Sequence, residues 1–165
     1  MVLWCSMNPS VYIETTIVGH LTSRLPNDLT VASQMLATRK WWLESRHQFE
    51  ICTSAVVLNE SSRGDSEAAA ERLAALKDIP LLPVLEMVVP LTELLLTRNA
   101  LPQKARMDAI HLAVAATNRI QYLLTWNCRH LANATLRGKI NEVCRELGCE
   151  PPIICTPFEL DEVKP

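Results

Sequence analysis

Four short apolar runs separated by helical segments constrain the fold of this sequence more than any other feature. The runs cover residues 11–13, 49–53, 120–125 and 153–155. Each is short and rich in apolar residues, the run at 49–53 alternates apolar with polar residues, and turn residues adjoin them, which is typical of strands. Strands that alternate with helices pair in parallel and are covered by helices on both faces. The sequence therefore predicts an α/β fold, a three-layer α/β/α sandwich with a central parallel sheet.

The segments between the runs carry apolar residues at helical spacing. Thr15 or Thr16 is placed to cap a helix after the first strand, and Ser54 a helix after the second. Residues 80–84 are predicted to form an extended connection. The predicted helices cover 29–46, 55–60, 66–76, 90–98, 105–116 and, in two pieces, 132–146.

The longest of these helices, residues 29–46, contains two adjacent tryptophans. Trp41 and Trp42 cannot share one helix face, so we expect one in the core and the other exposed or at an interface. The Leu-rich helix near Leu94 is further candidate interface material. The apolar positions that recur at helical spacing are Ala32, Met35, Leu36, Trp42 and Leu43.

The helix at 105–116 presents an apolar stripe with two polar residues beside it. Ala105, Ala109 and Leu112 begin this stripe, which predicts that most of the helix is buried. Asp108 and His111 lie one turn apart at its border. A carboxylate against so much apolar surface requires compensation by a metal ion, a cation or a helix N-terminus. Since Asp108 falls in the first turn, a simple helix-dipole role remains open.

Length and charge restrict the class of protein. The 165 residues fit one domain, predicted at 8–162, with residues 1–7 as a short N-terminal extension. Sixteen basic and eighteen acidic residues give a formal charge of −2. The chain therefore lacks the overall positive charge that is typical of nucleic-acid-binding proteins. A polyanionic substrate would therefore have to meet a local basic patch or a bound cation.

The six cysteines and the absence of targeting signals predict a cytoplasmic protein. Cys5, Cys52, Cys128, Cys144, Cys149 and Cys155 show no C-x-x-C pair and no zinc spacing. Residues 1–6 lack the basic start of a signal peptide, and no apolar run approaches the length of a membrane span. We therefore expect free thiols in a reducing compartment and no membrane association.

Four polar residues stand where the chain is expected to return to one edge of the sheet. Glu14 and Asn127 end predicted strands, Glu60 lies on the helix after the second strand, and Asp108 begins the buried helix. Carboxyl ends of parallel strands and the helices after them meet at one edge, which is where such sheets bind ligands. Like charges there raise one another's pKa values, and a hard divalent cation such as Mg²⁺ or Mn²⁺ removes that penalty. Glu14 could alternatively be a solvated strand-end charge.

These four positions lie within motifs that together resemble the PIN domain, the family of the VapC-type toxins of toxin–antitoxin pairs. The motifs are Tyr12-Ile13-Glu14-Thr15-Thr16, Leu58-Asn59-Glu60, Asp108-Ala109-Ile110-His111-Leu112-Ala113 and Leu123-Leu124-Thr125-Trp126-Asn127. The resemblance covers roughly residues 11–160. It implies a metal-dependent endoribonuclease that acts on RNA, usually as a homodimer and often inhibited by a cognate antitoxin.

The resemblance also assigns roles to single residues. Glu14, Glu60 and Asp108 would be the acidic catalytic and metal-site residues, with Mg²⁺ or Mn²⁺ as cofactor, and Asn127 would take the fourth position. Thr15 or Thr16, and Thr125, would support ligands or water. The family usually has Asp at the first position and often at the fourth. Because Asn127 brings no charge, we expect weaker metal binding, with activity that needs high metal concentrations or prefers Mn²⁺.

Several roles stay open at the level of sequence. His111 is either a general base or a histidine that satisfies a structural hydrogen bond. Arg63, Lys104, Arg106 and Arg129 form either a phosphate-binding patch or ordinary solvated charges. A catalytically weak PIN-like module that binds RNA or a protein partner is the alternative function. A phosphoryl-accepting receiver ranks behind both, because it needs a nucleophilic Asp where this chain offers Glu14 and Asn127.

Overall fold

The computed structural model describes residues 8–160. The predicted extension 1–7, residues 161–162 of the predicted domain, and Cys5 lie outside the described residues. Five strands form one parallel sheet in the order β3-β2-β1-β4-β5, with helices around it, so the predicted three-layer α/β/α fold is confirmed. The strands are β1 (Ser10–Ile13), β2 (Glu50–Ser54), β3 (Leu81–Leu82), β4 (Tyr122–Leu124) and β5 (Ile153–Cys155).

Strand β1 lies at the centre of the sheet and determines where a site can form. Tyr12 is paired in register with Cys52 of β2 on one side and with Leu123 of β4 on the other. From β1 the chain adds β2 and β3 on one side and β4 and β5 on the other. The strand order therefore reverses beside β1, and a parallel sheet leaves a crevice at the carboxyl ends of its strands at such a point.

Seven helices complete the described fold, and two short 3₁₀ helices (Arg46–Gln48 and Gln103–Ala105) adjoin them. No helix within residues 8–160 combines the length and the apolar composition needed to cross a membrane. The helices are α1 (Thr15–Thr22), α2 (Leu29–Glu44), α3 (Ala55–Ser61), α4 (Ser66–Leu76), α5 (Val88–Thr97), α6 (Arg106–Thr117) and α7 (Ala134–Glu146).

Two predicted elements differ from the observed ones. Helix α7 is continuous, so its prediction in two pieces was wrong. The side chain of Asn133 caps it by accepting from the backbone N–H of Thr135, and the residues before Asn133 form turns. The extended connection at 80–84 contains strand β3, whose two residues pair with Thr53 and Ser54 at the end of β2. A strand this short leaves too little periodicity to be recognised in a sequence.

Helix α6 confirms the predicted buried stripe. Ala109, Leu112, Ala113 and Ala116 are fully buried. Small side chains on this helix allow close approach of its neighbour α5, against which it packs extensively. The helix therefore carries Asp108 and His111 to the carboxyl edge of the sheet.

Helix α2 buries one side and exposes the other. Met35, Thr38 and Trp41 are buried, and the indole N–H of Trp41 donates to the carbonyl oxygen of Leu160 at 3.0 Å. Trp41 is thus the core tryptophan and is not available to an interface. Trp42 is half-buried. Leu36 and Leu43 lie on the opposite side of the helix and are exposed.

The described cysteines are all free thiols, as predicted for those positions. Cys52 and Cys155 are buried in strands, and burial raises the pKa of each thiol to about 12. A thiol with so high a pKa is not a nucleophile at neutral pH. Both side chains act as small apolar residues of the core.

Candidate functional site

Polar side chains collect at the carboxyl ends of the three central strands. Glu14 follows β1, Ser54 is the last residue of β2, and Thr125 follows β4. Glu14, Ser54 and Thr125 are all buried. Buried polar groups persist in a fold only when they are hydrogen-bonded, so the bonds of this edge define what the site can do.

Glu14 caps helix α1 with its own side chain. Its carboxylate accepts from the backbone N–H of Thr16 at 3.0 Å and from the Thr16 hydroxyl. The prediction that Thr15 or Thr16 caps this helix was therefore wrong. Those threonines lie inside the helix, where Thr16 donates to the capping carboxylate. Glu14 is only 3% exposed, and burial raises the pKa of its carboxyl above the usual value.

Glu60 enters the site from helix α3. Its Oε2 accepts a hydrogen bond from the Thr15 hydroxyl and is 2.7 Å from Nε2 of His111. The Glu60 side chain remains 20% exposed, whereas that of His111 is 2% exposed. Glu60 therefore offers a carboxylate to solvent while its other contacts are fixed by α1 and α6.

A buried chain of hydrogen bonds supports Glu60 from below. Nδ1 of His111 lies 2.9 Å from the Tyr12 hydroxyl, which lies 2.8 Å from the Ser54 hydroxyl. Tyr12 is fully buried in β1, and burial raises the pKa of its hydroxyl, which stays protonated. Both ring nitrogens of His111 are thus occupied by protein groups, which favours the structural role for this histidine.

Asp108 lies in the first turn of α6, and residues of the segment after β4 hold its carboxylate. Its Oδ1 accepts from the side-chain amide of Asn127 at 2.8 Å, and its Oδ2 lies 2.8 Å from Nδ1 of His130. The amide oxygen of Asn127 accepts from the backbone N–H of His130 at 3.1 Å. Asn127 thus holds Asp108 and closes the 127–130 turn at the same time.

Two further hydrogen bonds join these groups into one site. The backbone N–H of Trp126 donates to the Thr16 hydroxyl at 2.9 Å, and that of Asn127 donates to the Thr125 hydroxyl at 2.9 Å. The bond at Thr16 ties the Glu14 cap to the segment that holds Asp108. Thr15 ties Glu60 to the same helix. The structure therefore brings all seven predicted residues to one edge: Glu14, Thr15, Thr16, Glu60, Asp108, Thr125 and Asn127.

Three members of this network were not predicted from the sequence as site residues. His130 reaches Asp108 through the turn that begins at Asn127, and no local pattern in the sequence predicts that turn. Ser54 occupies its predicted cap position without making a side-chain cap bond. Its hydroxyl instead meets Tyr12, a contact between two strands that no local pattern reveals.

The predicted basic patch is divided by the structure. Arg63 lies close enough to Glu60 to help lower the pKa of that carboxyl. Arg106 pairs with Glu93 at 2.6 Å on the surface. Lys104 and Arg129 are exposed. Arg63 is therefore the basic residue of this set that the structure ties to the acidic edge.

The acidic groups do not form a preformed metal cage in the described part of the chain. Within residues 8–160, no group of three or more His, Cys, Asp or Glu side chains is arranged so that it could hold a metal ion. Each of the three carboxylates instead accepts hydrogen bonds from protein donors. The edge therefore holds three carboxylates, each with its own protein hydrogen-bond donors.

Replacing His111 with Ala is expected to lower stability by about 2–5 kcal/mol, because it leaves a cavity and removes one hydrogen-bond partner each from the Tyr12 hydroxyl and the Glu60 carboxylate. Denaturant unfolding measures this loss. His47→Ala, at an exposed position, is the control and should be as stable as the wild type. A His111→Ala protein as stable as the wild type would contradict the structural role of this histidine.

Glu60 is expected to make stability depend on acid pH. The hydrogen bond from His111 holds the pKa of the Glu60 carboxyl below its usual value, helped by Thr15 and opposed by burial. Glu60 therefore stabilises the fold above the ordinary glutamate pKa of about 4.3, and this contribution is lost as the pH falls through the lower folded-state pKa. The stability difference between wild type and Glu60→Gln should shrink over that range.

Denaturant unfolding across a pH series would measure this difference. Glu67→Gln, at an exposed position in the first turn of α4, is the matched substitution. A Glu60→Gln difference that stays constant from neutral to acid pH would contradict the assignment.

The fold and this edge together define a class, an α/β domain with buried and half-buried carboxylates at the strand-order reversal of a parallel sheet. Compared with known proteins, the sequence matches no family model and no curated protein.

Proposed function

We propose that this chain is a Mg²⁺- or Mn²⁺-dependent endoribonuclease of the PIN type that hydrolyses RNA phosphodiester bonds. One observation carries the proposal: Glu14, Glu60 and Asp108 come from three distant segments and lie at the same carboxyl edge beside β1. Parallel α/β sheets bind their ligands at this edge. Carboxylate oxygens are the ligands that a hard divalent cation prefers.

The chemistry of these residues fits a divalent cation with oxygen ligands. Glu14 is buried, and burial disfavours its charged form. A bound cation would offset that cost, while the exposed fractions of Glu60 and Asp108, 20% and 16%, leave the edge open to solvent. The residues that would hold the ion are Glu14, Glu60, Asp108 and the amide oxygen of Asn127. When bound, Mg²⁺ or Mn²⁺ would polarise the phosphodiester and lower the pKa of an attacking water.

The surrounding residues orient the carboxylates for this chemistry. Thr16 fixes Glu14, Thr15 and His111 fix Glu60, and Asn127 with His130 fixes Asp108. Ligand orientation by neighbouring hydrogen bonds raises metal affinity or activity by about 10- to 100-fold in known metal sites. Arg63, beside Glu60, is the basic group placed to meet an RNA phosphate.

The biological setting follows from the resemblance to VapC-type toxins. We extend the proposal to a cytoplasmic toxin that acts on cellular RNA as a homodimer and is inhibited by a cognate antitoxin protein. Expression of the chain in a bacterial host, compared with expression of Glu60→Gln, tests the toxin part of the proposal. Equal growth of the two cultures would count against it.

The test of the nuclease proposal is cleavage of a mixed RNA pool across Mg²⁺ and Mn²⁺ concentrations, with chelator as the metal-free control. We expect cleavage that needs high metal concentrations or prefers Mn²⁺, because Asn127 adds no charge to the three carboxylates. Glu60→Gln should lose this cleavage, and Glu67→Gln, purified identically, should keep it. Equal cleavage by both variants would identify a contaminating nuclease and remove the support for this site.

The second candidate is a PIN-like module that binds RNA or a protein partner with little turnover. A specific observation favours it: both oxygens of Asp108 and Oε2 of Glu60 already accept hydrogen bonds from protein donors. These bonds compete with ligation of an ion. RNA binding that is insensitive to metal, without cleavage of any pool, would support this module over the nuclease.

A further inference from the structure

Helix α7 ends in a backbone turn that pairs two of the cysteines. The backbone N–H of Cys149 donates to the carbonyl oxygen of Cys144 at 2.9 Å, and that of Gly148 donates to the carbonyl oxygen of Arg145 at 2.9 Å. Gly148 has a φ of 71°, in the left-handed region. These bonds and this conformation define a Schellman motif, in which the residues at the positions of Cys144 and Cys149 commonly make a side-chain contact.

The separation of Cys144 and Cys149 suits a disulfide. Two residues joined by a backbone hydrogen bond of this length have Cα atoms at most about 7 Å apart, given the covalent bond lengths between them. The Cα atoms of bridged cysteines usually lie about 4.4–6.8 Å apart. Cys144 is fully buried in the core, and Cys149 packs against the same core. Burial raises the pKa of the Cys144 thiol to about 12, and Cys149 lies close enough to contribute to this rise.

A cavity gives small molecules access to Cys149. It measures about 920 Å³ and lies at the amino ends of β4 and β5, beside the C-terminal ends of α6 and α7. Cys149, Arg119 and Arg145 are among the residues that line it. Arg119 is exposed, and Arg145 pairs with Glu150 at 2.9 Å. The cavity therefore presents a half-buried thiol beside guanidinium groups, which favour a small molecule that carries carboxylates.

We propose that Cys149 and Cys144 form an oxidation-sensitive dithiol, which a low-molecular-weight disulfide bearing carboxylates converts to an internal disulfide. The Cys149 thiolate attacks one sulfur of the small disulfide, so a mixed disulfide forms and one small thiolate leaves. The Cys144 thiolate then attacks the Cys149 sulfur and expels the second small thiolate. The protons of the two cysteines pass to the leaving thiolates. Two protein thiols are thus oxidised while one small disulfide is reduced to two thiols.

The surroundings of the two thiols determine how readily they react. Burial raises the pKa of the Cys149 thiol above its usual value. Because the thiolate is the attacking species, the first exchange should be slow at neutral pH. The second exchange is intramolecular, between groups that the end of α7 holds together, and this proximity offsets the burial of Cys144.

The dithiol lies away from the candidate site. It adjoins the amino ends of β4 and β5, whereas Glu14, Glu60 and Asp108 lie at the carboxyl edge of the sheet. The proposal therefore does not rest on the proposed nuclease activity.

Incubation of the folded full chain with oxidised glutathione tests the proposal. Remaining thiols are blocked by alkylation, and unreduced peptides are mapped by mass spectrometry. We expect a disulfide that joins Cys144 to Cys149. The exposed Cys128 should carry glutathione and the buried Cys52 should stay reduced, which controls for reagent and for unfolding. Cys144→Ala should stop at glutathione on Cys149, and Cys149→Ser should leave Cys144 reduced.

A second comparison tests the part played by the cavity. Arg119→Gln should slow oxidation of the pair by oxidised glutathione severalfold and should leave oxidation by the uncharged hydroxyethyl disulfide unchanged. Equal slowing with both reagents, or with neither, would overturn the role of charge in the cavity. The dithiol itself would be overturned if Cys128 reacted while Cys144 and Cys149 stayed reduced, or if glutathione remained on Cys149 in the wild type. An internal disulfide that forms only in denaturant would overturn it as well.

Discussion

Replacing Asp108 with Asn is expected to reduce metal-dependent RNA cleavage by at least about 100-fold without unfolding the protein. The substitution keeps the volume of the side chain but removes one of the three charges that would hold the ion. The Asn side chain has only one acceptor oxygen. It therefore cannot accept hydrogen bonds from both Asn127 and His130, as the two carboxylate oxygens of Asp108 do. The loss should fall on metal affinity and on rate at saturating metal.

Initial rates measured over a metal titration separate these two losses, and calorimetric titration of the ion reports affinity directly. Asp78→Asn makes the same chemical change at an exposed position and should behave as the wild type. Equal stability of the three proteins, measured by denaturant unfolding, shows that any rate loss arises at the site. Cleavage by Asp108→Asn within tenfold of the wild type would remove Asp108 from the proposed machinery.

The fold could be predicted from the sequence because short segments of the chain show the apolar patterns of strands and helices. Short apolar runs marked the longer strands, and the helix at 105–116 showed its buried stripe directly. The four polar residues could be placed at one edge for the same reason. Parallel strands put their carboxyl ends together, so a polar residue after each run is brought there by topology alone.

The supporting residues could not be predicted in this way. Tyr12 and His111 are 99 positions apart, and Tyr12 and Ser54 are 42 apart. Their hydrogen bonds depend on the depth at which α6 packs under β1, which periodicity does not report. His130 depends likewise on the course of the turn at 127–130.

Helix α2 shows a second limit of sequence patterns. Its apolar residues lie on both sides, so periodicity could not decide which side faces the core. The indole N–H of Trp41, which finds the Leu160 carbonyl, and the hydroxyl of Thr38, which bonds within the helix, go inside. Leu29, Leu36 and Leu43 stay outside.

Glu14→Gln is expected to change stability and activity in opposite directions. Burial raises the pKa of the Glu14 carboxyl, so the folded state binds this proton more tightly than the unfolded state. The stability of the wild type, relative to that of Glu14→Gln, therefore falls as the pH rises from about 4.3 through the folded-state pKa. Above that range, with chelator present, Glu14→Gln should be the more stable of the two proteins. RNA cleavage should nevertheless fall by at least about 100-fold, because a ligand charge is lost.

Addition of Mn²⁺ tests whether Glu14 binds the ion or serves only as the cap of α1. A bound ion stabilises only the protein that binds it, by about 2.7 kcal/mol at a hundred times its dissociation constant. The wild type should therefore gain stability in Mn²⁺ while Glu14→Gln does not, which reverses their order at neutral pH. Glu67→Gln should follow the wild type in both conditions. A Glu14→Gln protein that is less stable than the wild type in chelator across the pH range, or that cleaves RNA normally, would show that Glu14 serves only as the cap of α1.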